Sequence, residues 1–326
     1  MRLAVMVAVA ASACAAPTPG AGRAAATAAR DVRVAVAGAS LYARDVGRGQ
    51  PIVVLHGGPD FDHSYFLPEM DRLADGYRLI YYDQRGRGRS AENVNPDEVS
   101  LASEMADLDA VRQSFHLDTV AILGHSWGSV LALEYAIRNP SRVSHLLLMN
   151  PAPSSEAEYA LLRKVRVKTL GPALDRLNAI AATDAWKAGD PDAVAAAYRI
   201  HFTPAFERPA DLDTIVARLR ASFAAPGVLK ARRIEDRLRQ DTWLSPGYDL
   251  LPRVAALRVP ALVVFGDHDF IPFETADHLV HAISGARLAT MAHCGHFSYM
   301  ECPDQVRRAV DDFFRSTTAA ASPGRQ

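Results

Sequence analysis

Short apolar runs rich in β-branched residues alternate along the chain with longer amphipathic stretches. The runs predict strands, and the stretches repeat apolar residues at helical spacing. The predicted strands cover residues 32–37, 41–46, 52–56, 79–83, 120–123, 143–149, 261–265 and 287–291, and the predicted helices cover residues 64–73, 100–115, 129–138, 273–283 and 303–314. This alternation predicts an α/β fold with a mostly parallel eight-stranded sheet flanked by helices.

The strand pattern stops between the sixth and seventh predicted strands. Over residues 153–248, Leu, Ala and Val recur at helical spacing between Gly-Pro and Asn or Asp breaks. We therefore predict a helical cap over residues 153–248. It is inserted into a catalytic domain that residues 31–152 and 249–326 form together.

The N-terminal segment has a different pattern. Arg2 precedes an apolar run that ends in small residues, which predicts a signal peptide over residues 1–13. Cys14 resembles the modified cysteine of a lipoprotein signal and is a possible lipid anchor. Residues 14–30, rich in Ala, Pro, Thr and Gly, read as a flexible linker. We expect an exported protein that is periplasmic, secreted or lipid-anchored; the alternative is a cytoplasmic protein with an Ala-rich tail.

Composition narrows the function classes. The chain has 326 residues, with 36 Lys+Arg against 37 Asp+Glu and a net charge of −1, so it lacks the basic excess that nucleic-acid binding needs. Its three cysteines are too few for a disulfide-framed scaffold and lack zinc-site spacing. We predict no cofactor and no metal. Pairing of Cys294 with Cys302 stays open, as does the oligomeric state.

One motif carries candidate chemistry. The strand at residues 120–123 leads into Gly124-His-Ser126-Trp-Gly128, and a helix follows at once. This is G-x-S-x-G in strand–turn–helix context, where a tight turn lifts the serine hydroxyl to a helix N-terminus. Ser126 is therefore the candidate nucleophile.

A serine nucleophile needs a base and a carboxylate that orients the base. The last two predicted strands end in Gly266-Asp-His-Asp269 and Ala292-His-Cys-Gly-His296, which gives the chain order serine, acid, histidine. We predict that Asp269 and His296 complete the triad, with Asp267 and His293 as the local alternatives. Backbone N–H groups of Gly58 and Trp127 are the predicted oxyanion donors, from the loop after the third strand and from the residue after the nucleophile.

These residues together resemble the α/β-hydrolase fold family and, within it, the proline iminopeptidase type of serine aminopeptidase. The most specific segments are His56-Gly-Gly-Pro59, Tyr82-Asp-Gln-Arg-Gly-Arg-Gly-Arg-Ser90 and Gly124-His-Ser-Trp-Gly-Ser129. The resemblance implies an enzyme that releases N-terminal amino acids, often proline, from short peptides. It also implies cap glutamates that hold the free amine.

Substrate recognition is less sharply defined by the sequence. Glu235 matches one family glutamate, but it is four residues before Arg239 and could form an ordinary helix-surface pair. Asp60 stands where the family has glycine, and residues 195–202 contain no acid to serve as the second glutamate. Trp243 is the further predicted substrate contact, among cap aromatics that could line an apolar pocket; these are Trp186, Tyr198, Phe202, Phe223 and Trp243.

Two alternatives therefore accompany the aminopeptidase interpretation. The same triad would serve a carboxylesterase or lactonase that acts on small apolar esters. A hydrolase fold kept only as a ligand-binding module is the other, although such a module would not need three reacting residues and two oxyanion donors. In each case the partner is a small molecule or a short peptide.

Overall fold

The structure, a computed structural model, describes residues 28–223 and 225–321. The predicted signal peptide 1–13, Cys14 and most of the predicted linker 14–30 lie outside the described residues.

The described chain contains one eight-stranded sheet, in the order β1-β2-β4-β3-β5-β6-β7-β8. Its strands are β1 (Arg30–Val36), β2 (Ala39–Gly47), β3 (Gln50–Leu55), β4 (Tyr77–Tyr82), β5 (Val120–His125), β6 (Val143–Met149), β7 (Ala261–Gly266) and β8 (Arg287–Met291). β2 is antiparallel to its neighbours β1 and β4, and the pairings from β4 through β8 are parallel. The predicted fold class is confirmed.

Helices connect the strands. In the described residues they are α1 (Leu101–Ser114), α2 (Trp127–Arg138), α3 (Glu156–Leu170), α4 (Ala173–Ala182), α5 (Asp184–Lys187), α6 (Pro191–Phe202), α7 (Pro209–Ser222), α8 (Ala225–Asp241), α9 (Leu251–Val254), α10 (Phe273–Ala282), α11 (Ser298–Glu301) and α12 (Pro303–Ala321). None of the helices in this part of the chain is both long enough and apolar enough to cross a membrane.

The helix predicted over residues 64–73 is wrong. Two 3₁₀ segments, His63–Phe66 and Glu69–Asp75, stand there instead. Leu67, between them, has an extended backbone because it precedes Pro68, and a residue before proline avoids the helical region.

Alternate residues of the buried strands face the two layers of helices. Val53 and Leu55 of β3 pack with α1, α2 and α10 on one face, whereas Ile52 and Val54 pack with α12 on the other. A parallel sheet covered on both faces is apolar throughout, which explains why β3, β5 and β7 read as continuous apolar runs.

Seven α-helices of the described chain, α3 to α9, lie between β6 and β7; we call the first six, α3 to α8, the inserted helices. They fall within residues 153–248, the segment predicted as a cap, and that domain boundary stays a prediction. α6 and α7 pack on each other, and apolar residues of both, such as Phe202 and Ile215, join the cluster on the α12 face of the sheet. α6 and α7 therefore share one apolar core with the strands on this face of the sheet.

Candidate active site

Ser126 stands at a sharp turn between β5 and α2. Its backbone has φ 52° and ψ −121°, a conformation that L-residues rarely adopt. The two flanking glycines permit this turn, because a Cβ at Gly124 would lie 2.3 Å from the backbone oxygen of Gly128, and one at Gly128 would lie 2.3 Å from that of Leu55. The G-x-S-x-G spacing thus reflects the close packing of the turn against β3.

His296 and Asp269 meet beyond the ends of β8 and β7. Nδ1 of His296 lies 3.0 Å from each carboxylate oxygen of Asp269. Both side chains are buried, and His296 lines the same cavity as Ser126. The local alternatives face elsewhere: Asp267 contacts Nδ1 of His268 at 2.7 Å, and His293 is exposed.

Asn150, which the sequence reading missed, holds the carboxylate of Asp269 from the end of β6. Its amide nitrogen donates to Oδ2 of Asp269 at 2.8 Å, and its amide oxygen accepts the hydroxyl of Ser298 at 2.6 Å. The backbone N–H of Ile271 donates to Oδ1 at 2.9 Å. Asp269 is therefore held by Asn150 and the backbone of Ile271 in addition to His296. Asn150 directly follows a buried strand, and that position was the available signal.

The two predicted oxyanion donors flank Ser126. Trp127 is the first residue of α2, and Gly58 lies in the loop after β3 with φ +114°. Neither backbone N–H donates a hydrogen bond to another residue in the described part of the chain. Gly57 brings this loop close, since a Cβ there would lie 3.1 Å from the Cβ of Ser126. Both N–H groups are thus available beside the serine.

The Asp-Gln-Arg-Gly segment after β4 forms hydrogen bonds that hold the loop after β3 in place. The side chain of Gln84 donates to the backbone oxygen of His56 at 2.8 Å, and its backbone N–H donates to Nε2 of His56 at 3.0 Å. Arg87 in turn binds Gln84 and, at 2.6 Å, the buried Glu104. Burial and the charge of Arg87 lower the pKa of His56 to about 3, which keeps this imidazole neutral.

Tyr65 and His125, also missed from the sequence, join the loop to the serine turn. The hydroxyl of Tyr65 accepts the backbone N–H of Gly57 at 2.8 Å and lies 2.7 Å from Nδ1 of His125. Burial lowers the pKa of His125 well below its usual value, so the ring is neutral. Nε2 of His125 lies 3.0 Å from the backbone oxygen of His296, which can only accept, so Nε2 carries the ring proton and the Tyr65 hydroxyl donates to Nδ1.

A cavity of about 300 Å³ opens above Ser126 and His296. Glu235, on α8, lines it and pairs with Arg239 at 3.5 Å. Glu235 thus lines the cavity and also forms the pair with Arg239, and its contact with a substrate stays a prediction. Burial and the nearby charge of Asp60 raise the pKa of Glu235 to about 8.

Asp60 is the second acid in this cavity. It follows the Gly58 donor by two residues, it is 8% exposed, and the hydroxyl of Tyr198 donates to its Oδ2. Burial raises its pKa above the usual value. A second acid was expected within residues 195–202, which contain none. The structure instead places Asp60 next to this segment, bonded to Tyr198.

Aromatic side chains form much of the remaining wall. Trp243 stacks on Tyr159 with ring centroids 4.9 Å apart, and its indole N–H donates to the backbone oxygen of Pro153 at 2.7 Å. Of the five aromatics considered from sequence, four line the cavity: Trp186, Tyr198, Phe202 and Trp243. Phe223 is not among the lining residues and packs on Tyr198.

One cluster in the described residues has the composition of a metal site. Ligand atoms of Asp62, His63 and Asp83 lie within 4.8 Å of one another. Nδ1 of His63 contacts Asp83 at 2.6 Å, and Asp83 also accepts the backbone N–H groups of His63 and Arg89. These contacts fix the loop after β3 onto β4.

Cys294 and Cys302 form a disulfide with a Cα–Cα distance of 6.2 Å, so the pairing that the sequence left open is present in the structure. The bridge encloses His296 within its loop.

Comparisons with known proteins agree with this architecture. Residues 50–303 match the α/β-hydrolase fold family. The chain is 27% identical over 286 residues to the proline iminopeptidase of Heyndrickxia coagulans, which covers 83% of this chain and 92% of that protein.

Two solved structures resemble the fold. The crystal structure of proline iminopeptidase from Mycobacterium smegmatis has a TM-score of 0.68 at 24% identity and covers 90% of this chain and all of that one. Est816, described as an N-acyl homoserine lactone degrading enzyme, has a TM-score of 0.65 at 21% identity and covers 86% of this chain and all of that one.

Proposed function

The chain belongs to the α/β-hydrolase family, and we propose from this that it is a serine aminopeptidase that releases N-terminal amino acids, proline among them, from short peptides. The observation that carries the proposal is the pair of carboxylates, Asp60 and Glu235, in the cavity above Ser126. A protonated amine is costly to bury unless carboxylates meet it.

The reaction proceeds through an acyl-enzyme. Neutral His296 takes the proton of the Ser126 hydroxyl as the oxygen attacks the substrate carbonyl, and Asp269 stabilises the imidazolium that forms. The N–H groups of Gly58 and Trp127 hold the oxyanion. His296 then protonates the leaving amine, and the bond to it breaks. Water, activated by the same imidazole, hydrolyses the ester to Ser126 and releases the amino acid.

The acid pair selects for a free N-terminus. Asp60 comes from the loop that also carries the Gly58 donor, and Glu235 comes from the inserted helices, so the ammonium would sit between two different elements near the reacting carbonyl. The aromatic wall suits an apolar side chain such as the ring of proline. Charge and shape together favour a short peptide with an unblocked, apolar first residue.

To test the proposal, we would compare the hydrolysis of three groups of substrates. These are L-prolyl and other aminoacyl arylamides, the same arylamides with an acetylated amine, and short-chain aryl esters. Ser126→Ala is the blank. We expect turnover of the free-amine arylamides and none of the acetylated ones. Asp60→Asn and Glu235→Gln should each lower kcat/KM for the free-amine substrates by about tenfold or more, since each removes a charged hydrogen-bond partner.

Asp236→Asn is the matched control, because Asp236 is exposed on the same helix and does not line the cavity. It should leave the preference for a free amine in place. Equal losses in Asp236→Asn and Glu235→Gln would show only a general field effect and would contradict the proposal.

The second candidate is a carboxylesterase or lactonase. The apolar aromatic wall of the cavity and the fold shared with Est816 favour it. Ester cleavage without any turnover of free-amine arylamides would establish this function instead. Binding of either substrate without product would point to a non-catalytic module.

We further propose that the protein is exported. The apolar N-terminal segment and the disulfide between Cys294 and Cys302 support this proposal, since disulfides persist in oxidising compartments. Cell fractionation tests this proposal. An exported protein should be found in the periplasm, the medium or the membrane fraction, and Cys294 and Cys302 should not react with a thiol reagent before reduction.

A further inference from the structure

Arg166, on α3, lines the same cavity as Ser126. It makes no hydrogen bond or ion pair with any described residue, and the charge of Glu235 acts on it only at a longer distance. Its Nε is buried and unbonded. A half-buried guanidinium without an acceptor is costly, because its lost water contacts are not replaced. An anionic ligand would supply the acceptor that this guanidinium lacks.

The charged residues that line the cavity also favour an anionic ligand. Arg163, Arg166 and Arg239 line it together with the acids Asp60 and Glu235. Even with both acids ionised the cations outnumber them, and only Arg239 has an acid within ion-pair distance.

The cavity histidines add no charge to this balance. Burial lowers the pKa of His201 to about 3, with a contribution from Arg166, and burial likewise keeps His125 neutral. The remaining lining is aromatic, aliphatic or glycine, apart from Ser126 and His296. Glu235 is the acid among the lining residues that acts on Arg166 electrostatically, and it is already paired with Arg239.

We propose that Arg166, with Arg163 at the exposed edge, binds the C-terminal carboxylate of the substrate, which is a free dipeptide or tripeptide. This deepens the proposed aminopeptidase function and rests on it for the identity of the ligand. The charges of a zwitterionic peptide match those that line the cavity: its ammonium would be bound by Asp60 and Glu235, and its carboxylate by Arg166 and Arg163.

The size of the cavity agrees with a short ligand. About 300 Å³ lies at the lower end of ligand pockets, and each further residue lengthens an extended peptide by about 3.3–3.6 Å. A short peptide therefore places both termini within the cavity, and a guanidinium is suited to bind a carboxylate through two parallel hydrogen bonds.

The experiment measures kcat/KM for L-prolyl-L-leucine and for L-prolyl-L-leucinamide, which lacks only the carboxylate charge. We expect the free dipeptide to be preferred by about tenfold or more, as for loss of a charged hydrogen bond. Arg166→Gln should bring the ratio of the two values close to one, and Arg166→Lys should give an intermediate ratio. Lys164→Gln, which removes an exposed cation from the same helix, is the matched control and should keep the wild-type ratio.

A second measurement separates this proposal from the aminopeptidase function. N-acetyl-L-leucine carries the carboxylate but no amine, so it should inhibit whichever turnover the enzyme shows, ester or arylamide, more strongly than N-acetyl-L-leucinamide does. Loss of that inhibition in Arg166→Gln supports the carboxylate site even if no arylamide is cleaved. Equal inhibition of wild type and Arg166→Gln overturns the site, as does an unchanged dipeptide ratio. Thermal unfolding of Arg166→Gln should match or exceed wild type, because the variant loses no hydrogen bond.

Discussion

The imidazole of His125, the residue before Ser126, is hydrogen-bonded to the backbone of His296. Its Nε2–H donates to the backbone oxygen of His296 at 3.0 Å, and the two ring centroids are 4.9 Å apart. Since Nδ1 accepts the Tyr65 hydroxyl, Nε2 is the protonated nitrogen of this neutral ring. One chain of hydrogen bonds thus runs from Gly57 through Tyr65 and His125 to His296.

Breaking this chain should lower turnover without removing a reacting group. We expect Tyr65→Phe to reduce kcat by about tenfold, because the N–H of Gly57 and Nδ1 of His125 both lose a buried partner, each at about 1–3 kcal/mol. Steady-state kinetics with an ester and an arylamide checks this. Tyr77→Phe, which removes a hydroxyl bonded to Asp311, is the control, and a similar kcat loss there would refute a specific positioning role.

The carboxylate of Asp269 should be needed for the chemical step. Asp269→Asn keeps the shape but no longer fixes His296 in the tautomer that accepts the serine proton, so we expect kcat to fall by about 10³–10⁴-fold. Asp267→Asn provides the local comparison, since Asp267 contacts His268 and the backbone of Cys294. A larger kcat loss in Asp267→Asn than in Asp269→Asn would show that Asp267, and not Asp269, is the acid that orients His296.

Free-amine substrates should bind better as the pH rises toward alkaline values. Glu235, with its pKa raised to about 8, is largely protonated at neutral pH and gains its charge above that value. The carboxylate is the form that attracts an ammonium, so kcat/KM for an aminoacyl arylamide should increase through about pH 8. Glu235→Gln lacks this group.

The pH profile of wild type is therefore divided by that of Glu235→Gln on the same substrate, which cancels titration of the substrate amine. A ratio that stays flat between pH 6 and 9 would show that ionisation of Glu235 does not control binding.

The disulfide should stabilise the loop that carries His296. Cys294 and Cys302 are separated by 8 positions, and closing a loop of that length is worth about 2–3 kcal/mol in the chain-entropy model. We expect the double variant Cys294→Ser, Cys302→Ser to unfold at a lower temperature, and dithiothreitol to lower the Tm of wild type but not of the variant. Reaction of both cysteines with a thiol reagent in the unreduced, unfolded protein would contradict the bridge.

Local sequence patterns were enough to predict the sheet and the elements that carry the candidate catalytic residues. Strand patterning is local, and the G-x-S-x-G spacing reports the close packing of one turn. Because parallel strands end at one edge, residues that follow β5, β7 and β8 could be expected to meet, and the structure places Ser126 and His296 in one cavity, with Asp269 bonded to His296. The helix expected at residues 64–73 failed where Pro68 restricts the preceding residue.

Which distant side chains share the cavity could be seen only in three dimensions. Asp60 departs from the family glycine in the sequence, and the fold brings it together with Glu235. Arg166 lines the same cavity, and its Nε has no hydrogen-bond partner among the described residues. Burial, pairing and pKa depend on groups that are far apart in the chain, so no local pattern encodes them.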